Sequence, residues 1–470
     1  MGQEIKASRF TAQDFSRFLH RLNEETRQLG EDFKQQTLSQ DANIGGFELE
    51  AWLIDRDGYP AAVNQQFLER INNPLVVPEL AAFNVELNSR PVKLQADALS
   101  AMERELQATW RTCQETAATL DAALLMTGIL PSVVETQLSL RNMSAQARYR
   151  ALNEQVFLLR HGDPIHLHID GRETLQLTHH DVMLEAGTTS LQIHLQVPSV
   201  SAHDYMNLAQ ILSAPMVALA ANSPYLFGHD LWDETRIALF EQAVEVGSPK
   251  QRRVTFGKGY TRESLYECFR ENLDVYPVLV PIDLADSSEP YPHLRFHNGT
   301  IWRWNRPLIG VETDPAHVRI EHRVVPAGPS VVDCIANAAV FYGLVQYWAS
   351  DATVLSEHID FQTARGNFYQ CARHGLQANV IWQDGRDSSI QTLLLNDLLP
   401  QARAGLQQLA IAADDIDHYI GLVEARVASG RNGAGWQRQW VARHGRDMAA
   451  LTRACYENQE SGRPVHEWPL

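Results

Sequence analysis

Four short segments of this chain alternate polar and apolar residues with a period of two. In each, the polar half is chemically unusual. In Gly46-Phe47-Glu48-Leu49-Glu50-Ala51-Trp52 the alternation sends Glu48 and Glu50 to one face and Phe47, Leu49 and Ala51 to the other. In Phe83-Asn84-Val85-Glu86-Leu87-Asn88, Glu86 lies between Asn84 and Asn88, opposite Phe83, Val85 and Leu87. In Leu191 to Val197 the shared face carries Gln192, His194 and Gln196, and in Val318 to Val324 it carries Arg319, Glu321 and Arg323. An ordinary amphipathic strand with one face in water has the same period. Such faces usually carry Thr, Ser, Lys and mixed charges, whereas three of these four present acids, amides and imidazole with no Lys.

Carboxylates at i and i+2, such as Glu48 and Glu50, repel each other unless a cation lies between them. Magnesium is the cation that favours carboxylate oxygens and bridges to substrate phosphates. If the four strands are neighbours, one sheet face offers Glu48, Glu50, Glu86, His194 and Glu321 to metal ions and Arg323 to a phosphate. That is equipment for phosphoryl transfer without a phosphate-binding glycine loop. Because like charges destabilise an empty site, Glu48→Gln and Glu321→Gln are both expected to leave the metal-free protein as stable as before, or more so.

Composition narrows the partners. The 470 residues carry 40 Lys plus Arg against 57 Asp plus Glu, a formal charge of −17, and no Lys/Arg-rich run interrupts it. Such a surface repels nucleic acid. The N-terminal sequence has no signal-peptide core, and the longest apolar-leaning stretch, 211–228, is broken by Ser213, Pro215, Asn222, Ser223 and Pro224. No membrane association is expected. Cys113, Cys268, Cys334, Cys371 and Cys455 form no C-x-x-C pair and read as reduced thiols of a cytoplasmic protein.

Helical and strand-like segments interleave without a repeat or a long linker, which favours one α+β unit with helical decoration. Helices are expected over about 97–126, 202–221 and 330–349, and over much of the chain beyond Asn396. Before the first strand, Phe10, Phe15, Phe18, Leu19, Leu22 and Leu29 paint one apolar stripe on a helix. That stripe must be covered, and packing within the chain is favoured over a partner. Removing residues 1–40 should then affect stability more than turnover.

At this point the residues resemble a known family. G-F-E-L-E at 46–50, P-E-L-x-x-x-N-V-E-L-N-S-R-P at 78–91, A-R-Y-R-A-L at 147–152, S-L-Q-I-H-L-Q-V-P at 190–198, A-L-A-A-N-S-P-Y at 218–225, R-I-E-H-R at 319–323 and G-A-G-W-Q-R at 433–438 fall in the order seen in the glutamate-cysteine ligase type 2 family of carboxylate-amine ligases. The resemblance implies a glutamine synthetase-like α+β fold, in which a curved, mostly antiparallel sheet forms an active-site funnel flanked by helical layers. It divides the chain into an N-terminal helical extension, residues 1–40, and a catalytic domain, residues 41–470. It also implies ATP and Mg2+, with Mn2+ as the alternative ion, and a glutamate γ-carboxylate joined to an amine through an acyl phosphate.

By position, Glu50, Glu79 and Glu86 would hold one metal ion and Glu48, His194 and Glu321 the other. Glu321 and Arg323 are the catalytic candidates, with Arg323 steadying the transferred phosphoryl group. Gln192, Arg306 and Arg323 would contact nucleotide, and Arg148, Tyr149, Asn222 and Arg236 the small-molecule substrate. The acceptor amine and a homo-oligomeric state are left open.

Rival readings exist. One is a catalytically silent nucleotide- or metabolite-binding protein on the same fold. The presence of every candidate ligand speaks against it. Another is a metal-dependent hydrolase built on His166-Leu167-His168-Ile169-Asp170, although no glutamate base lies nearby. His179-His180 reads as a polar loop, and Gly257-Lys258-Gly259 lacks the spacing that wraps phosphates. Trp302 and Trp304 share a face, for which core packing is favoured over stacking on adenine.

Overall fold

The computed structural model describes residues 10–248, 251–284 and 286–470. Its centre is a mixed-length antiparallel sheet. Strands β1 (Ile44–Ile54), β2 (Val76–Pro78), β3 (Asn84–Asn88), β4 (Val92–Lys93) and β5 (Ala123–Leu125) form one half. After an outlying hairpin, β6 (Ile165–Asp170) and β7 (Thr174–His179), the sheet resumes with β8 (Ser190–Val197). The short pair β9 (Tyr225–Leu226) and β10 (His229–Asp230) stands apart, and β11 (Asn305–Gly310) and β12 (His317–Pro326) complete the other half. The order is β11-β12-β8-β1-β3-β2, with β4 and β5 also paired to β1. All four segments singled out by their alternation are thus neighbours, as the expected curved antiparallel sheet requires.

The helices that position the site are α1 (Ala12–Gln35), α2 (Asn64–Ile71), α3 (Ala98–Ala118), α4 (Ala147–Leu159), α5 (Ala202–Ala220), α6 (Thr235–Ala243), α7 (Tyr266–Val275), α8 (Pro292–Asn298) and α9 (Val331–Trp348). Helices α5 and α9 are apolar on nearly every side, which marks them as central. They lie under the apolar face of the sheet: the His322 ring stacks on Phe341 at 4.2 Å, and Asn305 donates to Ser213. Gly45 leaves room for Tyr342, whose hydroxyl donates to the Gly46 carbonyl at 2.9 Å. The opposite, polar face is left for a cavity.

Two local readings are corrected. The helix expected to reach Met126 ends at Ala118, because Asp121 adopts a positive φ and 123–125 are drawn into β5 against Trp52, Leu53 and Ile54. His179 closes β7 as a buried residue bonded to Asp181 at 2.8 Å, not as part of a polar loop. The N-terminal stripe is covered by the chain itself only in part: Phe18, Leu22 and Leu29 are buried on α1, which packs on α7 and α8, whereas Phe10 and Phe15 are half-buried and Leu19 is exposed. Among the described residues no helix is long and apolar enough to cross a membrane. All five cysteines are free and buried.

Candidate active site

Register decides which polar residues meet. Glu48 pairs with Gln192 and Asn88, Glu50 with Glu86, and His194 with Glu321, which in turn pairs with Arg306. Period-two alternation then puts Glu48, Glu50, Glu86, Gln192, Arg306, Arg319, Glu321 and Arg323 on the floor of one cavity of about 1080 Å³. Arg148, Tyr149 and Leu152 of α4 form one side of it, and Phe269 of α7 with Pro292, Arg295, Phe296 and Asn298 of α8 another.

Two triads stand out on this floor. The candidate ligand atoms of Glu48, His194 and Glu321 lie within 4.8 Å of one another, as do those of Glu50, Glu79 and Glu86. In the first, His194 Nε2 sits 3.5 Å from Glu48 and 3.6 Å from Glu321, buried and without a hydrogen-bond partner among the described residues. Burial also lowers its proton affinity, so it rests as the neutral imidazole that a metal needs. Burial alone would raise Glu321, but Arg306 and Arg323 hold it well below the usual carboxylate range. Glu321 is therefore a counter-ion to two guanidiniums, and the expectation that its neutralisation leaves stability untouched does not survive.

In the second triad the balance is reversed. Burial, then Glu86, pushes Glu50 up to about 7, against the pull of Arg323. Burial, then Glu50, pushes Glu79 to about 7, and burial with Glu48 and Glu79 pushes Glu86 well above its ordinary value. Acids crowded in this way favour a cation between them. The orphaned His194 nitrogen and this all-oxygen triad both fit a hard divalent ion of the Mg2+ or Mn2+ kind.

The remaining candidates divide cleanly. Gln192 donates to Glu50 at 2.7 Å and accepts from Arg323. Arg323 donates to Glu321 at 2.9 Å, and its buried Nε has no partner among the described residues. Arg148 and Tyr149 line the cavity, bonded to each other at 2.8 Å and to the Pro78 carbonyl. Arg236 and Asn222 do not reach it. Arg236 is 2% exposed, bonded to Glu234 and to the Arg323 and Val324 carbonyls. Asn222 donates to the Ala327 carbonyl and accepts from Gln437. Both are buried braces behind β12, so their expected contact with substrate is withdrawn.

Residues without a role in the sequence reading also line the cavity. Glu185, in the turn before β8, is raised to about 8 by burial and by Glu50. A lone acid in the apolar run Val182-Met183-Leu184-Glu185-Ala186 was the available signal. Trp302 lines the cavity, while Trp304 is core, donating to Glu241. The H-x-H-x-D residues lie outside the lining on exposed β6, where His168 meets Asp170 and Gln176. That removes the geometric basis for the hydrolase reading.

The sequence profile described as glutamate-cysteine ligase family 2 matches residues 44–457. Among solved structures, the chain is similar to the glutamate–cysteine ligase of Francisella tularensis in complex with AMP. The TM-score is 0.61 at 14% identity, covering 92% of this chain and 91% of that one. It is also similar to a bifunctional glutathione synthetase from Pasteurella multocida, with a TM-score of 0.53 at 11% identity, covering 94% of this chain and 55% of that one. At these identities the likeness is one of fold. No curated protein sequence matches significantly.

Proposed function

This chain belongs to glutamate-cysteine ligase family 2 and is a carboxylate–amine ligase, and on that footing we propose that it joins the γ-carboxylate of glutamate to an amine at the expense of ATP. The observation that carries this reading is the pair of triads on one cavity floor with Arg323 bonded between them. Glu48, His194 and Glu321 would hold one divalent ion and Glu50, Glu79 and Glu86 the other. When bound, such ions supply positive charge beside the phosphates of ATP.

In the proposed reaction a γ-carboxylate oxygen attacks the terminal phosphorus and ADP leaves. The amine nitrogen then attacks the acyl carbon, and phosphate departs with the former carboxylate oxygen. Arg323 is fixed from two sides by Glu321 and Gln192, so its guanidinium need not reorganise as charge develops on the moving group. Arg306 keeps Glu321 ionised and oriented, and with Gln192 it is assigned to the nucleotide side. Arg148 and Tyr149 are kept as contacts for the amino-acid substrate. The attacking ammonium must lose protons, and Glu185 is the cavity carboxyl outside both triads whose raised proton affinity suits that task.

The test is ADP release with glutamate and a panel of amines, under magnesium. An acceptor that raises ADP production above background supports ligation. A protein that binds a non-hydrolysable ATP analogue yet turns over with no amine would instead be the silent binding protein on the same fold.

A further inference from the structure

The wall of the cavity beside β11 is built differently from the floor. Phe269, Leu284, Phe296, Trp302, Leu308 and Ile309 line it, with Asp286, Glu289 and Arg295 nearby in the lining. It adjoins the triad that contains Glu321, because Arg306, two residues before Leu308, pairs with Glu321 across the sheet. The second triad lies further along the floor, on β1, β3 and the residue that follows β2. Of the proposed substrates, only ATP combines a phosphate chain with a flat, apolar-faced ring, so the phosphates suit the triad and the base suits this wall.

One support of the wall, through α7 and α8, is α1, which precedes the family-matched region beginning at residue 44. Glu25 accepts from His293 Nδ1 at 2.6 Å and from the Leu294 backbone N–H at 2.9 Å, so both its oxygens hold the first turn of α8. Asp32 accepts from the Tyr291 hydroxyl. Phe18 packs edge-on against His293 at 5.0 Å and against the cavity-lining Phe296 at 6.2 Å. Gly30 brings α1 close to α7, since a Cβ there would lie 2.9 Å from the Tyr266 ring. A seven-residue helix has little stability of its own, and its placement depends on such contacts.

We infer that Glu25 is a positioning residue for ATP: from outside the family-matched region it fixes α8, and with it the apolar wall against which the adenine base packs. The inference rests on the ligase reading. It also revises the expectation that the N-terminal segment matters for stability more than for turnover.

The experiment uses the full chain as wild type, Glu25→Ala, Glu25→Gln and, as a control on the same helix, Glu24→Ala. Calorimetry measures binding of a non-hydrolysable ATP analogue with magnesium. ADP release gives the KM for ATP and for glutamate, and thermal melts report the fold. Glu25→Ala should weaken analogue binding and raise the KM for ATP about tenfold, the scale of one lost charge-assisted hydrogen bond. Glu25→Gln, which keeps one acceptor, should fall between Ala and wild type. The KM for glutamate, kcat and the Glu24→Ala control should stay unchanged. If Glu25→Ala does not stay folded, Glu25→Gln carries the test. Unchanged analogue binding, or an equal loss in kcat and both KM values, overturns the inference alone. A wild type that binds no analogue overturns the ligase reading and this inference with it.

Discussion

Arg306 grips Glu321 through two parallel bonds, Nε to Oε2 at 2.8 Å and Nη2 to Oε1 at 2.9 Å. Arg323 adds a third bond to Oε2 at 2.9 Å, and Glu321 is wholly buried. Removing its charge strands two buried guanidiniums. Glu321→Gln should therefore destabilise the metal-free protein by about 3 kcal/mol and also abolish turnover. Urea melts decide it, and an unchanged midpoint would mean that the arginines find other partners.

The second triad should respond in the opposite direction. Glu50 and Glu79 titrate near 7 in the folded chain against 4.5 when unfolded, and burial with the neighbouring acids raises Glu86 as well. As pH rises from about 4.5 to 7 the folded state therefore holds more protons than the unfolded one, and metal-free stability falls across that window. Above it the penalty is fully present. At pH 8, Glu86→Gln should raise the metal-free midpoint, by about 1 kcal/mol in stability, and flatten the pH slope while losing turnover. A lower midpoint at pH 8 would mark Glu86 as a structural acid.

Arg236 separates a brace from a substrate contact. Its guanidinium bonds Glu234 at 2.9 Å and the Arg323 and Val324 carbonyls, holding β12 from behind. Arg236→Met should cost about 3 kcal/mol, because Glu234 is left buried without its counter-ion. A variant that melts normally while its KM for glutamate rises would restore Arg236 to the substrate site.

Glu185 should show itself in the pH profile of kcat. With the carboxyl raised to about 8, turnover under saturating substrates should climb with pH up to that region as the carboxylate forms. Glu185→Gln should lower kcat by about 10²-fold and flatten the climb. A profile of unchanged shape in the variant would remove Glu185 from proton transfer.

The polar floor of the cavity was legible in the sequence because period two assigns a face without any tertiary knowledge. Glu48, Glu50, Glu86, His194, Glu321 and Arg323 all followed from it, once the strands proved to be neighbours. Glu79 follows β2 in an irregular segment and could be named only through family resemblance. Asn222 and Arg236 sat in a matching motif, yet motif order does not say which way a side chain turns, and both turn into the braces behind β12. The α1–α8 contact joins residues 268 apart, Glu25 to His293, and local pattern carries no trace of it. Segment 123–125 reads as helix in the sequence because its apolar residues fit either period until pairing with β1 decides.

The most direct test of the central claim follows the oxygen atoms. Glutamate labelled with 18O in its γ-carboxylate is incubated with the enzyme, ATP, magnesium and a mixture of amines, and the released phosphate is analysed by mass spectrometry. Ligation through an acyl phosphate predicts one labelled oxygen in each phosphate formed together with a new amide. ADP and unlabelled phosphate, with no dependence on glutamate, would contradict it.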